Sequence, residues 1–175
     1  MRFCGSLLFT IVLLSIGSLA QDHRSKPRVS DHPLTAEQVD IYRAVLKYYP
    51  KDSGDMLNVS DTTVPLEVSG RSFDKVCVEG IEAEQPLGPV PEAHKLSPSV
   101  LVGTKMKFVE PEPQENRIRV FTLSEIIFDK PHEHAIVSYS FGYSSCASGA
   151  ILVLEWDGHG WAIKKSCGRW MSCSI

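Results

Sequence analysis

The chain has 175 residues, 43% of them hydrophobic, with 18 Lys and Arg against 21 Asp and Glu and a formal net charge of -3. That length suits one domain able to bury its own core without depending on disulfides. The balance has no strong basic excess and no basic stripe, which excludes a nucleic-acid-binding footprint.

The first element is Met1-Arg2 followed by LLFTIVLLSIGSLA from Leu7 to Ala20. One positive charge, a short apolar run and small residues at Ser18 and Ala20 predict a secretory signal peptide over 1–20, cleaved before Gln21. The run is short for a retained membrane span, which needs about 20 residues. No later apolar stretch is long enough to cross a bilayer, so no transmembrane segment is expected after cleavage. The expected location is secreted or periplasmic. Residues 21–33, QDHRSKPRVSDHP, are polar and read as a flexible segment.

A single disulfide-stabilised α+β domain is expected over 34–175. LTAEQVDIYRAVLKYY opens it. Thr35 and Gln38 form a capping box, and Val39, Tyr42, Val45, Leu46 and Tyr49 recur at helical spacing. The pattern predicts an amphipathic helix over 36–49, stopped by Pro50 and KDSGD. LNVSDTTVPLEV reads as a strand. Its Asn58-Val59-Ser60 is a glycosylation sequon, expected in an exposed turn. FDKVCVEGIEA is a short helical turn or an irregular strand. QPLGPVPEAHKLSP carries four prolines and predicts an extended surface loop. VLVGTKMKFVEP reads as a strand, and EPEPQEN as a solvated connection.

Strand signals dominate the last third: IRVFTLSEIIFD, HAIVSYSF, GAILVLEW and WAIKKS. DGHG, with Gly158 and Gly160, is a tight turn. It predicts a hairpin joining Leu154-Glu155-Trp156 to Trp161-Ala162-Ile163. The whole is expected to be an N-terminal amphipathic helix packed on a mainly antiparallel, meander-like sheet with long proline-rich loops, because an uncovered ribbon is unstable.

Beyond the signal the chain holds Cys77, Cys146, Cys167 and Cys173. In an oxidising compartment these four are expected to form two disulfides, with three connectivities open. No CxxC supports the competing zinc site. CGRWMSC is local enough for a Cys167–Cys173 ring, but Cys146–Cys167 with Cys77–Cys173 is preferred because it fixes the tail against the sheet.

Candidate chemistry is sparse. His132 and His134 would share one face if both sat on a strand. They are weak catalytic candidates and weak metal candidates, with Asp129 or Glu133 as an oxygen donor and His94 or His159 as further nitrogens. A catalytic zinc needs three protein ligands, and the third is not evident. Glu125 and Glu155 lie on neighbouring predicted strands and are weak candidates for a carboxylate pair. Ser144, Ser145 and Ser148 lack a G-x-S-x-G elbow, and Cys146 as nucleophile needs a free thiol. WDGHGW is no phosphate loop, and no cofactor-binding motif is present. Of Trp156, Trp161 and Trp170, at least two are expected in the core. Trp170 is the candidate binding surface.

The stretch LSEIIFDKPHEHAIVSYSFGYSSCASGAILVLEWDGHGWAIKKSCGRWMS, residues 123–172, resembles a group of uncharacterised exported bacterial proteins. Their C-terminal part runs as strand, Cys/Gly loop, hairpin and a Cys-Gly-x-Trp-x-Ser ending, here Cys167-Gly168-Arg169-Trp170-Met171-Ser172. DTTVPL at 61–66 and the region of Cys77 are similar more loosely. Such relatives often carry two cysteines in the loop where this chain has Cys146. The resemblance implies export and a shared fold, and carries no activity. The expected function is a non-catalytic secreted or periplasmic binding or structural domain with a protein, peptide or glycan partner. The alternative is a small exported hydrolase, metal-dependent through His132 and His134.

Overall fold

The computed structural model describes residues 28–49, 56–66, 78–84, 92–109, 118–142 and 146–173. Residues 1–20, expected as a signal peptide, lie outside the described residues, as do Cys77 and EPEPQEN. The elements run β1 (Arg28–Ser30), α1 (Ala36–Tyr48), β2 (Leu57–Ser60), β3 (Glu92–His94), a 3-10 helix (Pro98–Leu101), β4 (Met106–Val109), β5 (Val120–Leu123), β6 (Ile127–Phe128), β7 (His134–Gly142), β8 (Cys146–Trp156) and β9 (Trp161–Cys173).

The helix forms where its cap and spacing demand. Thr35 accepts from the Gln38 amide, and the Gln38 side chain accepts from the Thr35 amide. Ile41, Tyr42, Val45 and Leu46 are buried on one face. They pack on Val59, Phe121, Leu123, Val137, Leu152 and Leu154 from the sheet. Each such fully buried side chain is worth roughly 1.5–3 kcal/mol of transfer free energy. The opposite sheet face carries a smaller cluster of Leu66, Val78, Ile127, Ile136, Ile151 and Val153. The alternation along β7 and β8 therefore divides two apolar sets between two faces.

The main sheet has the order β4-β2-β5-β7-β8-β9, with β6 beside β7. Strands β5, β7, β8 and β9 pair antiparallel as the expected meander. On the other side, β2 pairs parallel to both β4 and β5, so the sheet is mixed. The arrangement is α+β, one helix against a largely antiparallel sheet. The hairpin register is as expected: Leu154 faces Ile163, Glu155 faces Ala162 and Trp156 faces Trp161. Asp157 ties its turn by accepting from the His159 and Gly160 amides. Only Gly158 of the two turn glycines takes a positive φ.

Several expectations are corrected. The polar segment 21–33 is not wholly irregular, since Arg28–Ser30 pairs parallel with Glu92–His94. The proline-rich stretch supplies that partner strand and the 3-10 helix, where Pro98 starts a turn without needing its missing N–H. Asn58 is not in a turn. It lies in β2 between Lys107 and Val120, and its Nδ2 donates to the Arg119 carbonyl at 3.3 Å. The stretch around Cys146, expected as a loop, is strand from Cys146 onward, and β9 runs on through CGRWMSC to Cys173. Of the tryptophans only Trp161 is in the core; Trp156 and Trp170 are exposed.

The preferred disulfide arrangement is also overturned. Cys146 pairs with Cys173, its direct partner in the β8–β9 register, with Cα atoms 4.1 Å apart. Cys167 is itself disulfide-bonded and packs on the smaller apolar cluster. The reason is a bulge. Gly149 faces Trp170 but Ile151 faces Cys167, so β9 holds one extra residue at Gly168, whose φ is 61°. The extra residue reverses which face every later side chain takes. Cys167 and Cys173, six apart and nominally on one side, are sent to opposite sides, and neither a Cys167–Cys173 ring nor a Cys146–Cys167 bond is available.

Candidate functional site

Two buried carboxylates hold two histidines in the same way. In the connection between β5 and β6, Glu125 Oε1 accepts from the His94 amide at 2.9 Å, while Glu125 Oε2 meets His94 Nδ1 at 2.8 Å. Thr63 closes this cluster, its hydroxyl bonded to Glu125 Oε1 and accepting from the His94 amide at 2.7 Å. In the β6–β7 turn, Asp129 Oδ1 accepts from the amides of Glu133 and His134, each at 2.8 Å. Asp129 Oδ2 meets His134 Nδ1 at 2.7 Å. One carboxylate thus grips both the backbone and the ring of one histidine, fixing its orientation.

The electrostatics follow from these bonds. Burial pushes the Asp129 carboxyl up, but the His134 amide and ring and the Glu133 amide outweigh it and hold the group below the ordinary carboxylate value. Tyr42 is buried over the first cluster and donates to the Ser124 carbonyl at 3.0 Å. Burial, with the nearby Glu125 charge, raises its phenol well above the usual value. At the surface, Lys164 donates to Glu155 Oε2 and lowers the Glu155 carboxyl.

The predicted site residues are therefore distributed rather than gathered. His132 is not on a strand. It sits in the turn before β7 with φ 57°, stacked on Phe128 at 4.6 Å. Its nitrogens face Glu37 of α1 at 3.6 Å and Glu84 at 3.5 Å. His134 is the first residue of β7, held by Asp129, with Nε2 3.8 Å from Glu155 Oε1. Because only one of the two histidines is on the strand, the shared-face premise fails. Glu125 and Glu155 belong to separate clusters and share no partner. His94 is part of the Glu125 cluster, and His159 is in the exposed hairpin turn. Among the described residues no group of three His, Cys, Asp or Glu is arranged to hold a metal ion. Ser148 donates to the Phe141 carbonyl at 3.4 Å; Ser144 and Ser145 lie outside the described residues. Cys146, being in a disulfide, has no free thiol.

Trp170 does mark a concave surface. A cavity of about 720 Å³ opens where the C-terminal end of α1 meets the far ends of β7, β8 and β9. Tyr48 and Tyr49 reach it from the helix, Tyr139 from β7, and Arg169, Trp170 and Met171 from β9. Tyr49 and Tyr139 pack at 4.9 Å, and Phe121 stacks on Tyr139 beneath them at 5.2 Å and 8°. The wall is thus continuous with the core. Tyr48, Trp170 and Met171 remain exposed, Met171 by 79%. Gly149 permits this wall: a Cβ there would lie 2.8 Å from the Trp170 ring and 2.3 Å from the Tyr139 carbonyl oxygen. Burial, the neighbouring Tyr49 and then Tyr48 raise the Tyr139 phenol, with Arg169 opposing them. Sequence reading found Trp170 alone, because Tyr49 is 90 residues before Tyr139 and only packing joins them.

Comparison of the chain with protein-family models, curated proteins and solved structures returns no match. No helix among the described residues is long and apolar enough to cross a membrane.

Proposed function

We propose that this chain is a non-catalytic, exported binding domain whose contact surface is the aromatic groove at Tyr48, Trp170 and Met171. The observation that carries it is the exposure of these three large side chains around one concavity, on a wall rooted in the core. Aromatic residues and Met are the types enriched at the buried centres of interfaces, and pockets of this size suit ligand capture. Rigid support from Tyr49, Tyr139 and Phe121 limits the entropy lost on binding. The partner class is a protein, a peptide or a glycan, met in the periplasm or outside the cell. The resemblance of residues 123–172 to exported bacterial proteins agrees with that setting.

One observation favours a second reading, a small exported hydrolase. The Asp129–His134 pair has the form that orients a general base, with Nε2 directed away from the carboxylate. Against it, Nε2 faces the Glu155 carboxylate at 3.8 Å, and no Ser, Thr or Cys among the described residues hydrogen-bonds to that nitrogen.

The test is a peptide and glycan array probed with the native protein and with a Tyr48→Ala/Met171→Ala variant, beside a panel of chromogenic ester, amide and glycoside substrates. The expected result is a bound class lost in the variant, with no turnover. Turnover abolished by His134→Ala would replace this reading with the hydrolase.

A further inference from the structure

Resting on the binding reading above, the groove also carries information about its ligand. Its walls are aromatic rings and the Met171 thioether, and its polar groups are the tyrosine hydroxyls, Ser148, Ser166 and Arg169. Among the described residues that line it, Arg169 is the one charged side chain and there is no Asp or Glu. Arg169 makes no ion pair or hydrogen bond to a described residue. It stands beside the Gly168 bulge, where the chain turns out of regular pairing, and its charge acts on the Tyr139 hydroxyl at the groove floor. Elsewhere the described lysines and arginines that meet a carboxylate do so outside this groove, as Lys164 does with Glu155 and Arg43 with Asp40. A largely aromatic concavity with one unneutralised guanidinium is complementary to a molecule with an apolar body and one negative charge. The guanidinium fork matches a carboxylate in particular.

We propose that the groove binds an amphiphilic carboxylate of the kind an apolar C-terminal residue of a peptide presents, its aryl or alkyl body lying against Tyr48, Trp170 and Met171 with its carboxylate on Arg169. The volume of about 720 Å³ lies within the range of small-ligand pockets. A glycan without an acidic group would leave Arg169 unused, and a cationic ligand would be repelled by it. The Ser148 and Ser166 hydroxyls at the rim add hydrogen-bonding capacity beside the carboxylate.

The experiment is calorimetric titration of the full, disulfide-bonded chain with 2-naphthylacetate and with its neutral amide, 2-naphthylacetamide. The carboxylate is expected to bind about tenfold more tightly than the amide, the scale of a charge-assisted hydrogen bond. Arg169→Gln is expected to bring the ratio to about one, while Arg169→Lys retains part of it. Met171→Ala is expected to weaken both probes alike. Arg169 and Met171 are exposed, so these variants leave the core untouched. Equal affinities for acid and amide, or a ratio unmoved by Arg169→Gln, overturn the proposal. Failure of both probes while the array yields a Tyr48- and Met171-dependent ligand overturns this inference and leaves the binding reading standing. Failure of probes and array together removes both.

Discussion

Asp129 and Glu125 show how much a single carboxylate can organise. Each accepts a backbone N–H and a ring nitrogen from the same histidine; for Asp129 that histidine lies in the same turn, whereas Glu125 reaches His94 on β3, 31 residues away in the chain. For Asp129 this has a pH consequence with a definite sign. Its folded-state value lies below the ordinary one of about 3.9. Its contribution to stability is therefore complete above about pH 5, and is lost as pH falls through the folded-state value. Asp129→Asn is expected to lower stability by about 2 kcal/mol at pH 6 through loss of charge-assisted bonds. It should also flatten the decline in stability below pH 4. Urea unfolding from pH 6 to 3 checks this; an unchanged slope would show that another group titrates. At this scale the sequence was only partly legible. Asp129 stood beside the two histidines as an oxygen donor, but the alternating pattern gave no sign that His132 takes a positive φ and leaves the strand.

At the scale of elements, the bulge at Gly168 decides most. It sends Cys167 to the smaller apolar cluster, sets Cys173 opposite Cys146, and presents Arg169 beside the groove. A cross-link over a separation of 27 residues is expected to contribute about 3.5 kcal/mol by restricting the unfolded chain. The Cys146→Ser/Cys173→Ser double variant should lose that amount in chemical denaturation. Peptide mapping of the native protein should recover the Cys146–Cys173 linkage directly. A recovered Cys146–Cys167 peptide would refute the register described here. The helix and the DGHG hairpin were legible in advance because capping and turn chemistry act within a few residues. The strand continuation from Cys146 and the length of β9 were not. The small and polar residues of SSCASG and CGRWMSC are strand-compatible only when a neighbouring strand supplies hydrogen bonds, as β8 and β9 supply each other.

At the scale of the whole molecule, the helix covers one face of the sheet and leaves its C-terminal end, Tyr48 and Tyr49, over the corner where the groove forms. Processing is the prediction that belongs here. Expression into an oxidising compartment is expected to give a mature chain beginning at Gln21, with all four remaining cysteines oxidised. Intact mass before and after thiol alkylation reads both features. A chain retaining residues 1–20 would argue for an anchored protein, and a free thiol would reopen the reading of Cys146 as a nucleophile.

By itself the sequence determined the α+β class, the capped helix, the antiparallel hairpins and the presence of cysteines suited to oxidation. These depend on periodicity, caps and turns, which are local and written in consecutive residues. Only the tertiary structure decided the parallel pairing of β2, the Cys146–Cys173 connection, the separation of His132 from His134, and the groove that joins Tyr48 to Arg169. Each depends on register or on contacts across many residues. A one-residue bulge or the placement of a single turn changes such contacts while leaving the local pattern intact.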